Sequence, residues 1–171
     1  MAASEKISTQ ICIAGGGPAG MMLGLLLARA GVQVLVLEKH ADFLRDFRGD
    51  TIHPSTLEVM HELGLIEGLL DLPHQKVSEI SAVFGSETIA VADFRHLPTK
   101  SKFIAFMPQW DFLSFLAGQA AAYPNFSLRM STEVTELIER DGRIHGVRAT
   151  TADGTLEIDA GLIPKGDNND P

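Results

Sequence analysis

Residues 9–39 constrain this chain more than any other stretch. They read as a β-strand (9–14), a glycine-rich turn (Gly15, Gly16, Gly17, Pro18, Ala19, Gly20), a helix of small and aliphatic residues (21–30) and a second strand (33–37) closed by Glu38. A bare G-x-G-x-x-G pattern is common by chance. Here Gly15-x-Gly17-x-x-Gly20 follows a strand, opens a helix and is answered by an acid 18 residues after its last glycine. That order is the βαβ signature of a dinucleotide site.

Each residue type in the turn has its own physical job. Gly15 allows the tight exit from the first strand, Gly17 lets backbone approach a pyrophosphate, and Gly20 lets the helix lie close to the sheet. The anion would rest on the helix's open N–H groups, with the positive end of the helix dipole behind them, so no lysine is needed. None is present: no basic residue lies between Ile11 and Ala28. Glu38 can accept hydrogen bonds from ribose hydroxyls and would repel a 2′-phosphate, which favours NAD or FAD over NADP. A membrane helix needs about 20 predominantly apolar residues in a row. This run is broken by the turn and again at Gly31.

The 171 residues suit one domain. A net charge of −8, from 14 Lys+Arg against 22 Asp+Glu, argues against nucleic acid or an anionic membrane surface as partner. Residues 1–6 are polar with no apolar signal segment, so a cytoplasmic protein is expected. The single cysteine, Cys12, falls mid-strand and reads as an inert buried side chain.

Residues 1–8 read as a loose lead-in. Residues 40–50 form a polar loop with Arg45 and Arg48 beside Gly49. Such a loop leaves the carboxyl end of the sheet, where an arginine either reaches a phosphate or flavin or is merely solvated. A helix follows (51–64), with Pro54 in its first turn, Leu57, Met60 and Leu63 on its apolar face and Gly64 as its stop. Glu58 and Glu62 share an exposed face, which usually means solvation. His53 and His61 lack a third ligand, so no metal site is read. Residues 65–72 add a short helical turn.

The period then changes. Runs 77–84 and 88–94 form a hairpin around Gly85, Ser86 and Glu87, and 100–107 is a further strand ended by Pro108. A second helix (109–122) buries Phe112, Leu113, Leu116 and Ala120, with Gln109 and Trp110 in its first turn, where they can face a ligand. After a short strand (126–130) comes a meander of strands 134–140, 144–151 and 156–160. Its turns, Asp141-Gly142 and Asp153-Gly154, both carry the type I′ signal. Residues 164–171 read as a disordered tail.

The combination of Ile13-Ala14-Gly15-Gly16-Gly17-Pro18-Ala19-Gly20, Glu38-Lys39, Arg48-Gly49 before a Leu57-containing helix, and Met107-Pro108-Gln109-Trp110-x-Phe112-Leu113 resembles the FAD-dependent aromatic hydroxylases. These are single-component flavoprotein monooxygenases of the 4-hydroxybenzoate hydroxylase type. The resemblance implies an α/β fold: a Rossmann-like FAD-binding βαβ domain over 1–163 with an inserted β-meander, and with 77–107 part of the substrate-domain sheet. It implies that Gly15, Gly16, Gly17, Pro18, Ala19 and Gly20 form the pyrophosphate turn and that Glu38, with Lys39 beside it, meets the adenosine ribose. Arg48 and Gln109 would contact the cofactor nearer the flavin and pyrophosphate, and Val134 the adenine through its backbone. NAD(P)H would reduce the flavin, and O₂ would then serve to hydroxylate an aromatic ring. The hard chemistry is the cofactor's, so no protein nucleophile is expected.

The chain departs from that pattern where Ala160-Gly161-Leu162-Ile163 runs into residues 164–171 instead of a Gly-x-Asp-Gly motif. The C-terminal half of the family fold, with the second FAD half-site, is then missing, and an unpaired apolar sheet edge is expected. Two readings follow. One is an FAD-dependent hydroxylase of an aromatic small molecule, of which this chain is the N-terminal part or a shortened member. The other is a catalytically incomplete FAD- or nucleotide-binding module or fragment that needs a second segment or chain, with a homodimer or a complementing chain as the expected partner. An NAD-dependent dehydrogenase fits only the first 39 residues.

Overall fold

In a computed structural model, which describes residues 5–44 and 50–166, the chain runs in order through fifteen elements. They are β1 (Glu5–Ala14), α1 (Pro18–Arg29), β2 (Val34–Leu37), β3 (Thr51–Ile52), α2 (Pro54–Leu63), α3 (Ile66–Leu70), β4 (Gln75–Val77), β5 (Glu79–Phe84), β6 (Glu87–Asp93), β7 (Ile104–Phe106), α4 (Gln109–Ala121), β8 (Phe126–Arg129), β9 (Glu133–Arg140), β10 (Arg143–Thr151) and β11 (Gly154–Leu162). The fold is mixed α/β, as expected, and divides into two units: Met1–Leu44 with Leu113–Pro171, and Arg45–Phe112.

The first unit is built on a six-stranded sheet of order β8-β2-β1-β11-β10-β9. Its first four strands are mutually parallel, and β10 and β9 add antiparallel. Val34, Leu35, Val36 and Leu37 of β2 are all buried, the unbroken apolar run of a parallel strand covered on both faces. On one face lies α1, which buries Gly20, Met21, Gly24, Leu25 and Ala28. A Cβ on Gly24 would stand 3.0 Å from both Val36 and Phe126, so the missing side chain sets how closely this helix approaches the sheet. On the other face Cys12, Leu35, Leu37, Val147, Ala149, Leu156, Ile158 and Ala160 form a second apolar layer. Each fully buried aliphatic side chain there contributes roughly 1.5–3 kcal/mol. The Asn125 amide donates to the carbonyls of Ala28 and Val32 at 2.8 and 2.7 Å, satisfying the end of α1.

In the second unit β3, β7 and β4 form one small sheet, and β5 and β6 pair as a separate hairpin. Residues 77–107 therefore contribute to two sheets. Helix α2 stops at Gly64, whose φ of 73° is the left-handed cap that glycine adopts without strain. The Glu58 carboxylate accepts the Lys100 N–H at 2.8 Å, and His61 hydrogen-bonds buried Ser101 at 3.1 Å. Glu58 and His61 thus anchor the 99–101 loop, a structural task.

Several expectations require correction. The lead-in 1–8 is strand from Glu5 onward, paired with the end of the chain: Glu5 lies opposite Leu156. The helix expected from residue 51 begins at Pro54, because Thr51 and Ile52 pair with Phe106 and Ala105. The strand expected over 100–107 is only Ile104–Phe106. Asp141 and Gly142 do have positive φ, 52° and 73°. The second reversal is centred on Ala152 and Asp153, since Thr151 already pairs with Gly154, and neither central residue has positive φ. The sheet's edges are β8 and β9, and β11 lies inside it. Residues 164–166 are ordered as well: Lys165 bridges Ala14 in parallel, in the same register that sets Ile11 opposite Leu162.

Candidate dinucleotide site

The site forms where β1 and β2 end. Gly15 leaves β1 with φ 112°, a value side chains avoid, and its N–H donates to the Leu37 carbonyl at 2.8 Å. Gly17 is the N-cap of α1 in extended conformation, Pro18 follows in the first turn, and the Gly17 carbonyl accepts the Met21 N–H at 2.8 Å. No side chain caps this helix and no acid stands in its first turn. Its leading N–H groups are therefore suited to an anion, with the positive end of the dipole behind them.

Gly20 shows why the turn needs glycine. A Cβ there would lie 2.0 Å from the Gly15 carbonyl oxygen, a collision with backbone that no rotamer relieves. At Gly16 a Cβ would lie 3.0 Å from the Cβ of Glu38. Glu38 is buried, 7% exposed, and its carboxylate is turned under the loop. One oxygen accepts the Gly16 N–H at 2.9 Å and the other the His40 N–H at 3.0 Å. The acid read as a ribose ligand is thus also a brace that ties the glycine turn to the end of β2.

Backbone from the other side of the sheet completes the rim. The Glu38 N–H donates to Arg129, the Thr132 N–H to Glu38 and the Ser131 N–H to His40, all between 2.8 and 2.9 Å. Ser131 has φ 51°, an uncommon conformation for a residue with a side chain. This segment leads directly into β9, so Val134, half-buried and registered opposite Ala149, follows two residues after the Thr132 contact with Glu38. On the far side of β1, Ala14 donates to the Pro164 carbonyl at 3.0 Å and accepts the Gly166 N–H at 2.7 Å.

The structure therefore gathers Gly15, Gly16, Gly17, Pro18, Ala19, Gly20 and Glu38 at one end of the sheet, with Val134 following the rim. Lys39, next to Glu38, is exposed. Arg48 lies outside the described residues. Gln109 stands half-buried at the start of α4, among residues of the second unit. Sequence reasoning missed the 129–132 rim and residues 164–166. A positive φ at Ser131 leaves no mark in residue type, and the contacts of 164–166 are with residues about 150 positions away in the chain. Cys12 is fully buried and its thiol is pushed up to about 12 by desolvation, so it is no nucleophile at neutral pH. No described helix is long and apolar enough to cross a membrane.

An uncapped helix start, a glycine cradle that a Cβ would fill and an acid beneath the loop fit an anionic dinucleotide. Comparison with known proteins agrees. The family model described as FAD binding domain matches residues 8–163. The chain is 30% identical over 144 residues to 6-methylpretetramide 4-monooxygenase of Streptomyces rimosus, covering 84% of this chain and 34% of that protein. It is 31% identical over 158 residues to 3-(3-hydroxy-phenyl)propionate/3-hydroxycinnamic acid hydroxylase of Escherichia coli O81 (strain ED1a), covering 88% and 27%. The chain thus spans 27% to 34% of the length of these two curated relatives. Among solved structures, anhydrotetracycline hydroxylase of Streptomyces rimosus superposes with TM-score 0.80 at 28% identity, over 95% of this chain and 32% of that one. p-Nitrophenol 4-monooxygenase of Pseudomonas putida DLL-E4 shares the fold with TM-score 0.83 at 23% identity, over 96% and 42%. With the motif, the fold and the family model in agreement over residues 8–163, this chain belongs to the FAD binding domain family of the FAD-dependent aromatic hydroxylases.

Proposed function

We propose that the chain binds FAD at the carboxyl end of its parallel sheet and serves as the nucleotide-binding part of a monooxygenase acting on an aromatic, phenolic small molecule with NAD(P)H and O₂. The observation that carries this reading is the Gly15–Gly20 close approach in front of the uncapped α1, braced by Glu38. The leading N–H groups of α1 would hold the pyrophosphate, and Glu38 the adenosine ribose, where its charge disfavours a 2′-phosphate. Val134 would border the adenine through its backbone, and Arg48 and Gln109 would meet the cofactor nearer the flavin. When bound, the flavin supplies the redox chemistry, accepting electrons from the nicotinamide and delivering them to O₂. The chain's own residues bind and orient it.

A second reading applies to these 171 residues taken by themselves: a catalytically incomplete FAD- or nucleotide-binding module or fragment that needs a second segment or chain for turnover. One experiment orders the two. The purified chain is titrated with FAD, followed by flavin absorbance and fluorescence, and NADH and NADPH consumption is then measured with a set of phenols. Stoichiometric flavin with phenol-stimulated oxidation supports the complete enzyme. Bound flavin without turnover supports the module, and protein that stays colourless with added FAD eliminates both.

A further inference from the structure

Two glycines far apart in sequence close on the same backbone oxygen. A Cβ on Gly20 would lie 2.0 Å from the Gly15 carbonyl oxygen, and a Cβ on Gly166 would lie 2.4 Å from that same atom and 3.1 Å from the Ala14 carbonyl oxygen. Gly20 belongs to the recognised turn. Gly166 reaches it by another route. Strand β11 runs parallel to β1 in one unbroken register, from Glu5 opposite Leu156 through Ile11 opposite Leu162, and the pairing resumes with Ala14 opposite Lys165. The residues past β11 then clasp Ala14 on both its polar groups. The Ala14 N–H donates to Pro164 at 3.0 Å, and the Gly166 N–H donates to the Ala14 carbonyl at 2.7 Å.

We propose that Gly166 is a positioning residue of the dinucleotide site. With Gly20 it confines the Gly15 carbonyl, and so fixes the left-handed Gly15 peptide that leads through Gly16, whose N–H is held by Glu38, to the open N–H groups at the start of α1. The reasoning is steric. Gly15 at φ 112° sits in a region where glycine itself has several accessible basins, so its own conformational preference does not hold it. The Gly15 N–H to Leu37 bond fixes one side of the residue. Its carbonyl side is fixed by close packing against two backbone positions that carry no side chain. A methyl group at residue 166 therefore displaces either residues 164–166 or the turn, because both colliding atoms are backbone. Residue 166 meets no ligand itself; its effect is transmitted through Gly15.

The inference rests on the FAD reading for its functional consequence, and its test separates the two. Gly166→Ala is compared with wild type and with Gly118→Ala, whose added Cβ meets nothing within 4 Å. Amide hydrogen exchange is followed at Gly15 and Gly16, together with FAD affinity. In Gly166→Ala both amides should exchange faster and FAD affinity should fall about tenfold or more, the scale of a sub-ångström to ångström misplacement. Gly118→Ala should alter neither. Unchanged exchange at Gly15 and Gly16 in folded Gly166→Ala overturns the proposal, whatever happens to FAD. Should wild type take up no FAD, the functional reading fails, and the exchange result still decides whether Gly166 positions the turn. Wild type supplies a further check that does not depend on the variant's folding. Its Gly166 amide should be protected to a similar degree as that of Gly15, and exchange at the unprotected rate rejects the clasp.

Discussion

Helices α1 and α2 begin in nearly the same way. Each follows an extended residue, Gly17 or His53, and each has proline in its first turn, no side-chain cap and no acid in that turn. In each the N-cap carbonyl accepts the N–H four residues on, Met21 at 2.8 Å and Leu57 at 3.0 Å. By the dipole argument alone the two are equivalent anion sites. They differ in what stands around the first turn. In α1 the third helical residue is Gly20, pressed on the Gly15 carbonyl, and the preceding loop is tied to buried Glu38. In α2 the same position is Thr56, which carries a full side chain. The dipole is generic, whereas a shaped backbone cradle is specific to α1.

That comparison can be broken at its strongest point. Gly20→Ala places a methyl group 2.0 Å from backbone oxygen and should cost roughly 3–5 kcal/mol, the upper range for a single substitution. Thr56→Ala at the matching place in α2 should stay within about 0.5 kcal/mol. Thermal or urea unfolding measures both, and a mild Gly20→Ala would remove steric closeness as the distinction. Next in size is Glu38→Ala, which strands the Gly16 and His40 N–H groups and should lower stability by about 1–3 kcal/mol even without FAD. A loss confined to FAD affinity would show that the brace is dispensable.

A smaller change sharpens the contrast most. Ala19→Asp and Ser55→Asp each put an acid in the first turn of an exposed helix start, so each should raise stability by about 0.3–1 kcal/mol. Only Ala19→Asp should weaken FAD binding, by about tenfold, which corresponds to about 1.4 kcal/mol of repulsion. Equal effects on FAD would mean that the two helix starts are not distinguished. The smallest effect concerns the sheet that carries the turn. Arg129 hydrogen-bonds Glu5 and holds its carboxyl below the ordinary value of 4.5. A carboxyl depressed in the folded state adds stability above its ordinary value and loses it as pH falls through the lower one. Arg129→Ala should therefore lower stability slightly at neutral pH, leave it unchanged at pH values below the depressed titration, and so flatten the acid limb of the stability profile below about pH 4.5.

Much of the fold was legible because its signals are local. Residues 9–39 combine an apolar strand, glycines with steric duties and a terminating acid within one βαβ unit, and Asp141-Gly142 encodes its own reversal through two positive φ values. Gly64 likewise marks the end of α2 by its conformation. Errors fell where a distant partner decided the outcome. Residues 5–8 carry one apolar side chain, Ile7, among polar ones and look loose until β11 pairs with them. Asp153-Gly154 carries the same dipeptide as its predecessor, yet the register with β10 moves the reversal back by one residue. Residues 164–166 are polar and proline-containing, which reads as tail, but Ala14 offers them an N–H and a carbonyl.

The site divides along the same line. Residue order alone determined that a dinucleotide turn exists, which glycines form it, and that an acid answers them, because those requirements are steric and electrostatic and act within some thirty residues. Only the tertiary structure decided that Glu38 folds under the turn as its brace, that the 129–132 backbone forms the rim, and that Gly166 closes on the oxygen already pressed by Gly20. The physical reason is that each of these contacts has a main-chain partner brought in by the tertiary fold, and main-chain atoms are alike in every residue.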